Sequence, residues 1–138
     1  PEGPLFGRLQ RGETVTTKDG RTFTPDQVLG APRLGRRVVY SGDTQPCLGV
    51  LEAAVDADLF ICEATFTHDL VEKAREVRHM TAREAAGIAL KAKAKRLALT
   101  HISPRNRDTK PVLEEAKAVF PDSAVANDFD TVEVPVRS

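Results

Sequence analysis

The chain has no long apolar run, no surplus of either charge, only two cysteines, and Pro1 rather than methionine in first place. Each absence removes a class of protein. No stretch approaches the ~20 consecutive apolar residues that a membrane-spanning helix needs, and Pro1-Glu2-Gly3-Pro4 lacks the charged and apolar regions of a secretory leader. Lys+Arg and Asp+Glu both number 20, so no whole-molecule field draws the chain to nucleic acid or membrane, and any polyanion contact has to come from local clusters. Cys47 and Cys62 are too few for a disulfide scaffold, which fits a reducing compartment. Together these exclusions predict a soluble, cytoplasmic protein with no membrane partner. The opening on Pro1, in a stretch punctuated by Gly and Pro, predicts a fragment or a processed product.

What is present is ordinary globular material: 138 residues, 41% hydrophobic and 29% charged, enough for one domain with a real core and a single compact unit overall. Residues 1–35 read as a hairpin-rich entry segment, because Asp19-Gly20 separates the β-favouring runs 13–17 and 21–24. From residue 36 to residue 138 strand and helix signals alternate, which predicts an α/β fold. Val38–Tyr40, Leu59–Cys62 and Leu97–Leu99 are short apolar runs suited to a sheet buried on both faces. Helices are predicted over about 47–57, 69–76, 81–93 and 112–119. The third has a marked start, since Thr81-Ala82-Arg83-Glu84 is a capping box, and Ala85, Ile88, Ala89 and Ala92 follow on one stripe. Ser123–Ala126 and Thr131–Pro135 read as two closing strands around a turn at 127–130.

Reactive side chains cluster at the ends of these runs. Asp43 follows Val38–Tyr40 and Gly42, which lets the backbone approach a ligand closely; its carboxylate is a hard donor for a divalent metal, or else the cap of the next helix. His101 ends the Leu97–Leu99 run, where a neutral imidazole can ligate a metal through one nitrogen while the other holds a neighbour; the alternative is a structural or exposed histidine. Glu63 and His79 form another kind of pair, because a carboxylate beside an imidazole fixes its tautomer and favours the acid-competent form. For Glu63 a helix cap or surface charge is the competing reading. Arg105, four residues after His101, is a candidate phosphate contact. His68 reads as exposed or as a neighbour of a cap.

In order and spacing, Tyr40-Ser41-Gly42-Asp43-Thr44, Cys62-Glu63-Ala64-Thr65-Phe66, His79-Met80-Thr81 and Leu99-Thr100-His101-Ile102-Ser103-Pro104-Arg105 resemble the second half of ribonuclease Z, the tRNA 3′-processing endoribonuclease of the metallo-β-lactamase superfamily. The resemblance runs from about residue 3 to residue 134. It implies one half, a sheet plus covering helices, of an αββα four-layer sandwich, and removal of the 3′ trailer from precursor tRNA by phosphodiester hydrolysis. It also implies two zinc ions per complete site, with manganese acceptable to the same donors. Asp43 matches the aspartate shared by the two ions, and His101 a ligand of one. Glu63 and His79 match the pair that handles the scissile phosphate and protonates the leaving 3′ oxygen, and Arg105 is the phosphate candidate.

Cys62 replaces the family's histidine before Glu63, and Asn106 stands where a tyrosine often follows the arginine. No His-x-His-x-Asp-His motif occurs. The resemblance therefore predicts a C-terminal half that begins after the family's tRNA-binding arm and has the N-terminal half as its partner. Alone it is expected to be inactive, to bind metal weakly or not at all, and to form a homodimer through its uncovered sheet face. Another phosphodiesterase or hydrolase of the same fold, or a non-catalytic assembly module, are the alternatives.

Overall fold

Alternation of β-branched runs with alanine-rich helical stretches produces a parallel sheet in the computed structural model, which describes residues 3–31 and 33–136. The chain divides into two compact units, Pro1–Leu34 and Gly35–Arg137.

In the first unit, helix α1 (Gly3–Gln10) precedes strands β1 (Val15–Thr16) and β2 (Thr22–Phe23), followed by the short helix α2 (Pro25–Val28). The two strands pair antiparallel, Val15 opposite Phe23. Gly20 takes φ +82° in the connection, a left-handed value that costs glycine nothing. Thr17 and Arg21 both bond the Asp19 carboxyl and hold it below the usual carboxylate range, the threonine hydroxyl contributing most. The predicted hairpin is therefore present. Helix α1 departs from the hairpin-rich reading of residues 1–35: Pro4 fits the first helical turn, where no intrahelical N–H bond is required, and Leu9 is fully buried.

The second unit runs β3 (Val38–Tyr40), α3 (Leu48–Ala54), β4 (Leu59–Glu63), α4 (Val71–Glu76), α5 (Ala82–Lys91), β5 (Leu97–Thr100), α6 (Lys110–Lys117) and β6 (Ser123–Val125). Strands β3-β4-β5-β6 lie in that order, all parallel. The register sets Val39, Phe60, Cys62, Leu97, Leu99 and Val125 on one face, where Ala54 of α3, Ala85 and Ala89 of α5, and Val112 and Ala116 of α6 complete the core. Alanines on α5 let that helix approach the sheet closely, and each fully buried leucine beneath it contributes about 1.5–3 kcal/mol.

The opposite face departs from the expectation of burial on both sides. Leu59 and Ala98 are covered, but Val38 and Tyr40 of the edge strand β3 remain 53% and 66% exposed. The helices that complete the core all pack on the other face. A second departure is Thr131–Pro135, which forms no strand. Its carbonyl groups are taken by side chains instead: Arg36 Nη1 donates to Val134 O at 3.2 Å, and Arg96 donates to Glu133 O. The turn before it is present, closed by Asp130 N–H to Asn127 O at 3.1 Å.

Candidate active site

Asp43, Glu63 and His101 lie at the carboxyl ends of the parallel strands β3, β4 and β5, where open α/β sheets generally bind ligands, and His79 lies between α4 and α5. Beyond β3, Ser41 N–H still bonds Ile61 O on β4, and the chain then turns at Gly42 with φ +61°. No atom lies within 4 Å of where a Cβ on Gly42 would stand. The glycine is thus needed for its left-handed backbone angle. Asp43 follows, 55% exposed, and Thr44 donates its N–H to Glu63 Oε1 at 2.6 Å. Asp43 does not cap α3, whose N-cap is Cys47 and carries no side-chain cap bond.

Glu63, the last residue of β4, is 1% exposed and accepts four hydrogen bonds. Thr44 N and His79 Nδ1 reach Oε1, at 2.6 and 2.9 Å; Thr65 Oγ1 and Met80 N reach Oε2, at 2.8 and 3.2 Å. A buried carboxylate without partners would be very costly. Here the four donors come from three segments, Thr44, Thr65 and His79-Met80, so satisfying the charge also fastens those segments together.

His79 owes its position to two adjoining helix signals. Helix α4 stops in a Schellman arrangement: Arg78 takes φ +61°, its N–H bonds Arg75 O at 3.2 Å, and His79 N–H bonds Ala74 O at 2.9 Å. Two residues later the capping box begins α5, with Thr81 N–H to Glu84 Oε2 at 2.9 Å and Glu84 N–H to Thr81 Oγ1 at 3.3 Å. The imidazole between them is 21% exposed. Because the carboxylate can only accept, His79 Nδ1 carries the proton of their shared bond, and Nε2 is left for other work.

His101 leaves β5 at φ +53°, in the left-handed region that a non-glycine residue enters at roughly 1–2 kcal/mol. Observed strain of this kind concentrates at functional sites. Its ring stacks on that of His79, centroids 5.0 Å apart, and its Nε2 lies 3.5 Å from Asp43 Oδ2. Asp43, Glu63, His79 and His101 therefore meet in one place. Arg105 does not join them through any bond: among the described residues its guanidinium makes no hydrogen bond or ion pair, and only its N–H contacts Ser103 Oγ, at 3.4 Å.

Burial raises the Cys62 thiol to about 12, with the Glu63 charge adding to the effect and the Ser41 hydroxyl opposing it. Its Sγ packs 3.5 Å from Met80 Sδ, inside the core. Cys62 is accordingly a small hydrophobe behind Glu63. His68 is half-buried, its Nδ1 3.1 Å from the Thr81 hydroxyl, so it supports the cap of α5.

Sequence reasoning passed over Thr65, Thr44 and Glu115. Glu115, on α6, accepts from His68 N–H through both oxygens, at 3.0 and 2.9 Å, and from Arg83 N–H at 2.9 Å. It thereby ties together the chain segments on either side of His79. Glu115→Ala should lower unfolding free energy by about 1–3 kcal/mol, the cost of stranding such donors. Amide exchange at His68 and Arg83 should accelerate with it, and unchanged protection at both would refute the tie.

The donor chemistry suits a divalent cation. One carboxylate oxygen and one imidazole nitrogen face each other from Asp43 and His101, a combination that zinc or manganese accepts. Glu63, His79 and His101 also bring one ligand-type atom each within 4.8 Å of one another. Glu63 nevertheless has both oxygens engaged twice, so it acts as an organiser and not as a ligand. Asp43 and His101 would hold a metal as part of a larger set.

Comparison with known proteins agrees with this geometry. A family model described as a beta-lactamase superfamily domain matches residues 13–102. The ribonuclease Z of Myxococcus xanthus is 56% identical over 140 residues, covering 99% of this chain and 45% of that protein. The ribonuclease Z of Archaeoglobus fulgidus is 50% identical over 135 residues, covering 97% and 44%. Among solved structures, the short form of human tRNase Z superposes with a TM-score of 0.59 at 28% identity, over 83% of this chain and 37% of that one. The chain spans somewhat under half the length of the curated relatives it matches. Since the family match covers more than half of these residues and takes in Asp43, Glu63, His79 and His101, the chain belongs to the beta-lactamase superfamily.

Proposed function

We propose that this chain is the C-terminal part of a zinc-dependent endoribonuclease that removes the 3′ trailer from precursor tRNA. The observation that carries the reading is the convergence on the Glu63 carboxylate of the loops after β3 and β4, through Thr44 and Thr65, and of the His79-Met80 segment between α4 and α5. Support also comes from the relatives' names, ribonuclease Z and tRNase Z. Residues 1–35 form the entry segment that follows a tRNA-binding arm, and residues 36–138 the C-terminal half of a four-layer sandwich. The exposed Val38 and Tyr40 face is where the N-terminal half packs, or where a second copy does so in a homodimer. The two free thiols suit a reducing cytoplasm.

In this reading Asp43 and His101 hold metal together with ligands from the N-terminal half, up to two zinc ions in all, with manganese as a substitute. Bound metal supplies Lewis-acid polarisation of the phosphoryl group and a nucleophile at neutral pH. The remaining work belongs to the side chains. Glu63 keeps His79 in one orientation, so that in its imidazolium form the Nε2–H can deliver its proton to the departing 3′ oxygen, leaving the ring neutral with Nδ1–H still on Glu63. Arg105, unpaired among the described residues, meets a substrate phosphate.

The test is reassembly. The purified chain, a polypeptide corresponding to the relatives' other half, and their mixture are each incubated with end-labelled precursor tRNA and zinc. Cleavage at the trailer by the mixture alone is expected. Cleavage by this chain alone would overturn its inactivity. A mixture that binds stoichiometric zinc without cutting precursor tRNA points to another phosphodiesterase of this fold, and one that binds none points to an assembly module.

A further inference from the structure

We propose that Thr65 is a positioning residue that locks His101 in its Nδ1–H tautomer, extending to the second histidine the orientation that Glu63 imposes directly on His79. The two Glu63 oxygens serve different imidazoles: Oε1 binds His79 Nδ1 at 2.9 Å, while Oε2 binds Thr65 Oγ1 at 2.8 Å, and that same Oγ1 lies 2.9 Å from His101 Nδ1. Thr65 is 7% exposed and stands between the buried carboxylate and the half-exposed ring.

Counting hydrogens decides the direction of the chain. Two oxygens 2.8 Å apart need a proton between them, and the carboxylate has none to give, so the threonine O–H points at Glu63. A hydroxyl has one hydrogen. Toward His101 it can then offer only a lone pair, and the hydrogen of that 2.9 Å contact must sit on Nδ1. A neutral His101 therefore presents an unprotonated Nε2 to Asp43 Oδ2, 3.5 Å away, two acceptors facing one another. That is the arrangement a cation satisfies. If the metal-ligand reading of Asp43 and His101 holds, Thr65 performs the outer-shell task that carboxylates and carbonyls perform for other ligating histidines.

The alanine between Glu63 and Thr65 is part of the device. Ala64 N–H bonds Thr100 O at 2.9 Å, and Ser103 N–H bonds Thr65 O at 3.1 Å, so residues 63–65 stay beside the β5 exit on both sides of His101. Threonine is needed for its hydroxyl, and valine would match its shape while removing both bonds.

Long-range proton–nitrogen correlation on 15N-labelled chain, at a pH above imidazole titration and without metal, reads the tautomer without reference to any activity. The unaltered chain should show His101 protonated at Nδ1 and unprotonated at Nε2. Thr65→Val should shift His101 toward the Nε2–H form while His79 keeps its own signature, and Thr65→Ser should restore the original pattern. An Nε2–H His101 in the unaltered chain, or a Thr65→Val spectrum identical to it, would overturn the proposal. Because the first of these needs no variant, a Thr65→Val chain that fails to fold still leaves a decisive result. Failure of precursor tRNA cleavage in the reassembly assay would leave the tautomer result standing, so the two readings fail separately.

Discussion

Glu63→Ala is expected to lower the unfolding free energy of the chain by about 3–5 kcal/mol, the range typical of breaking a buried, hydrogen-bonded charge site. The substitution removes the acceptor for Thr44 N, His79 Nδ1, Thr65 Oγ1 and Met80 N together. Met80 is fully buried and Thr65 nearly so, and each of their donors costs about 1–3 kcal/mol when stranded. The other two lie nearer the surface and recover part of the loss from water. Glu63→Gln retains the volume but turns an NH2 toward two of the donors, so it should fall between the parent and Glu63→Ala. Urea denaturation followed by circular dichroism gives the comparison. A Glu63→Ala chain within about 1 kcal/mol of the parent would mean that water satisfies all four donors and that Glu63 does not organise the site.

The same substitution should loosen particular segments ahead of the whole fold. Thr44 N–H and Met80 N–H are anchored by this one carboxylate, and faster amide exchange at both would mark release of the Asp43 loop and of the chain entering α5. Phe60 and Leu99, on the opposite face of the sheet, should keep their protection because the helices cover them. A stability loss spread evenly through the sheet would argue for a packing defect instead.

What could be read from the sequence was what depends on neighbours along the chain. The capping box at Thr81 and Glu84 satisfies its own donors, so the start of α5 is local information. Val38–Tyr40, Leu59–Cys62 and Leu97–Leu99 emerged as strands because β-branched and large apolar residues do not form helices of that length. Asp19-Gly20 marked its turn for an equally local reason. The misses have the opposite character. Thr131–Pro135 has the composition of a strand, yet Arg36 and Arg96, distant in sequence, take the carbonyls that a neighbouring strand would have used. Helix α1 was hidden by Pro4, a residue that breaks helices everywhere except in their first turn.

The site divides along the same line. Charged and imidazole side chains at strand ends announce themselves, and Asp43, Glu63 and His101 were visible for that reason; His79 was visible because it stands just before the capping box of α5. Thr65 and Glu115 act on partners 36 and 47 residues away, His101 and His68, and nothing in their immediate surroundings says so. A threonine two residues past a strand-end glutamate was the available signal, since alternate residues of an extended chain share a face. Gly42 has a backbone reason as well: its φ of +61° is a left-handed value that favours glycine.

His79→Ala, in the reassembled enzyme, should reduce cleavage of precursor tRNA by about 10²- to 10⁴-fold, the span of a general acid's contribution. The proposed role makes a sharper demand than loss of activity. A ribose 3′ alkoxide is a poor leaving group and needs a proton as it departs, whereas a nitrophenolate leaves without one. On an aryl phosphodiester, the same variant should therefore lose less than about 10-fold, because only the acid step has been removed. Folding should be little affected: the ring is 21% exposed, and Glu63 keeps three other donors when it is gone. Equal losses on both substrates would assign His79 to orienting the phosphate or supporting His101, on which it stacks at 5.0 Å, and would remove it as the proton donor. The comparison works because the leaving group is varied while every bond holding the site together is left as it was.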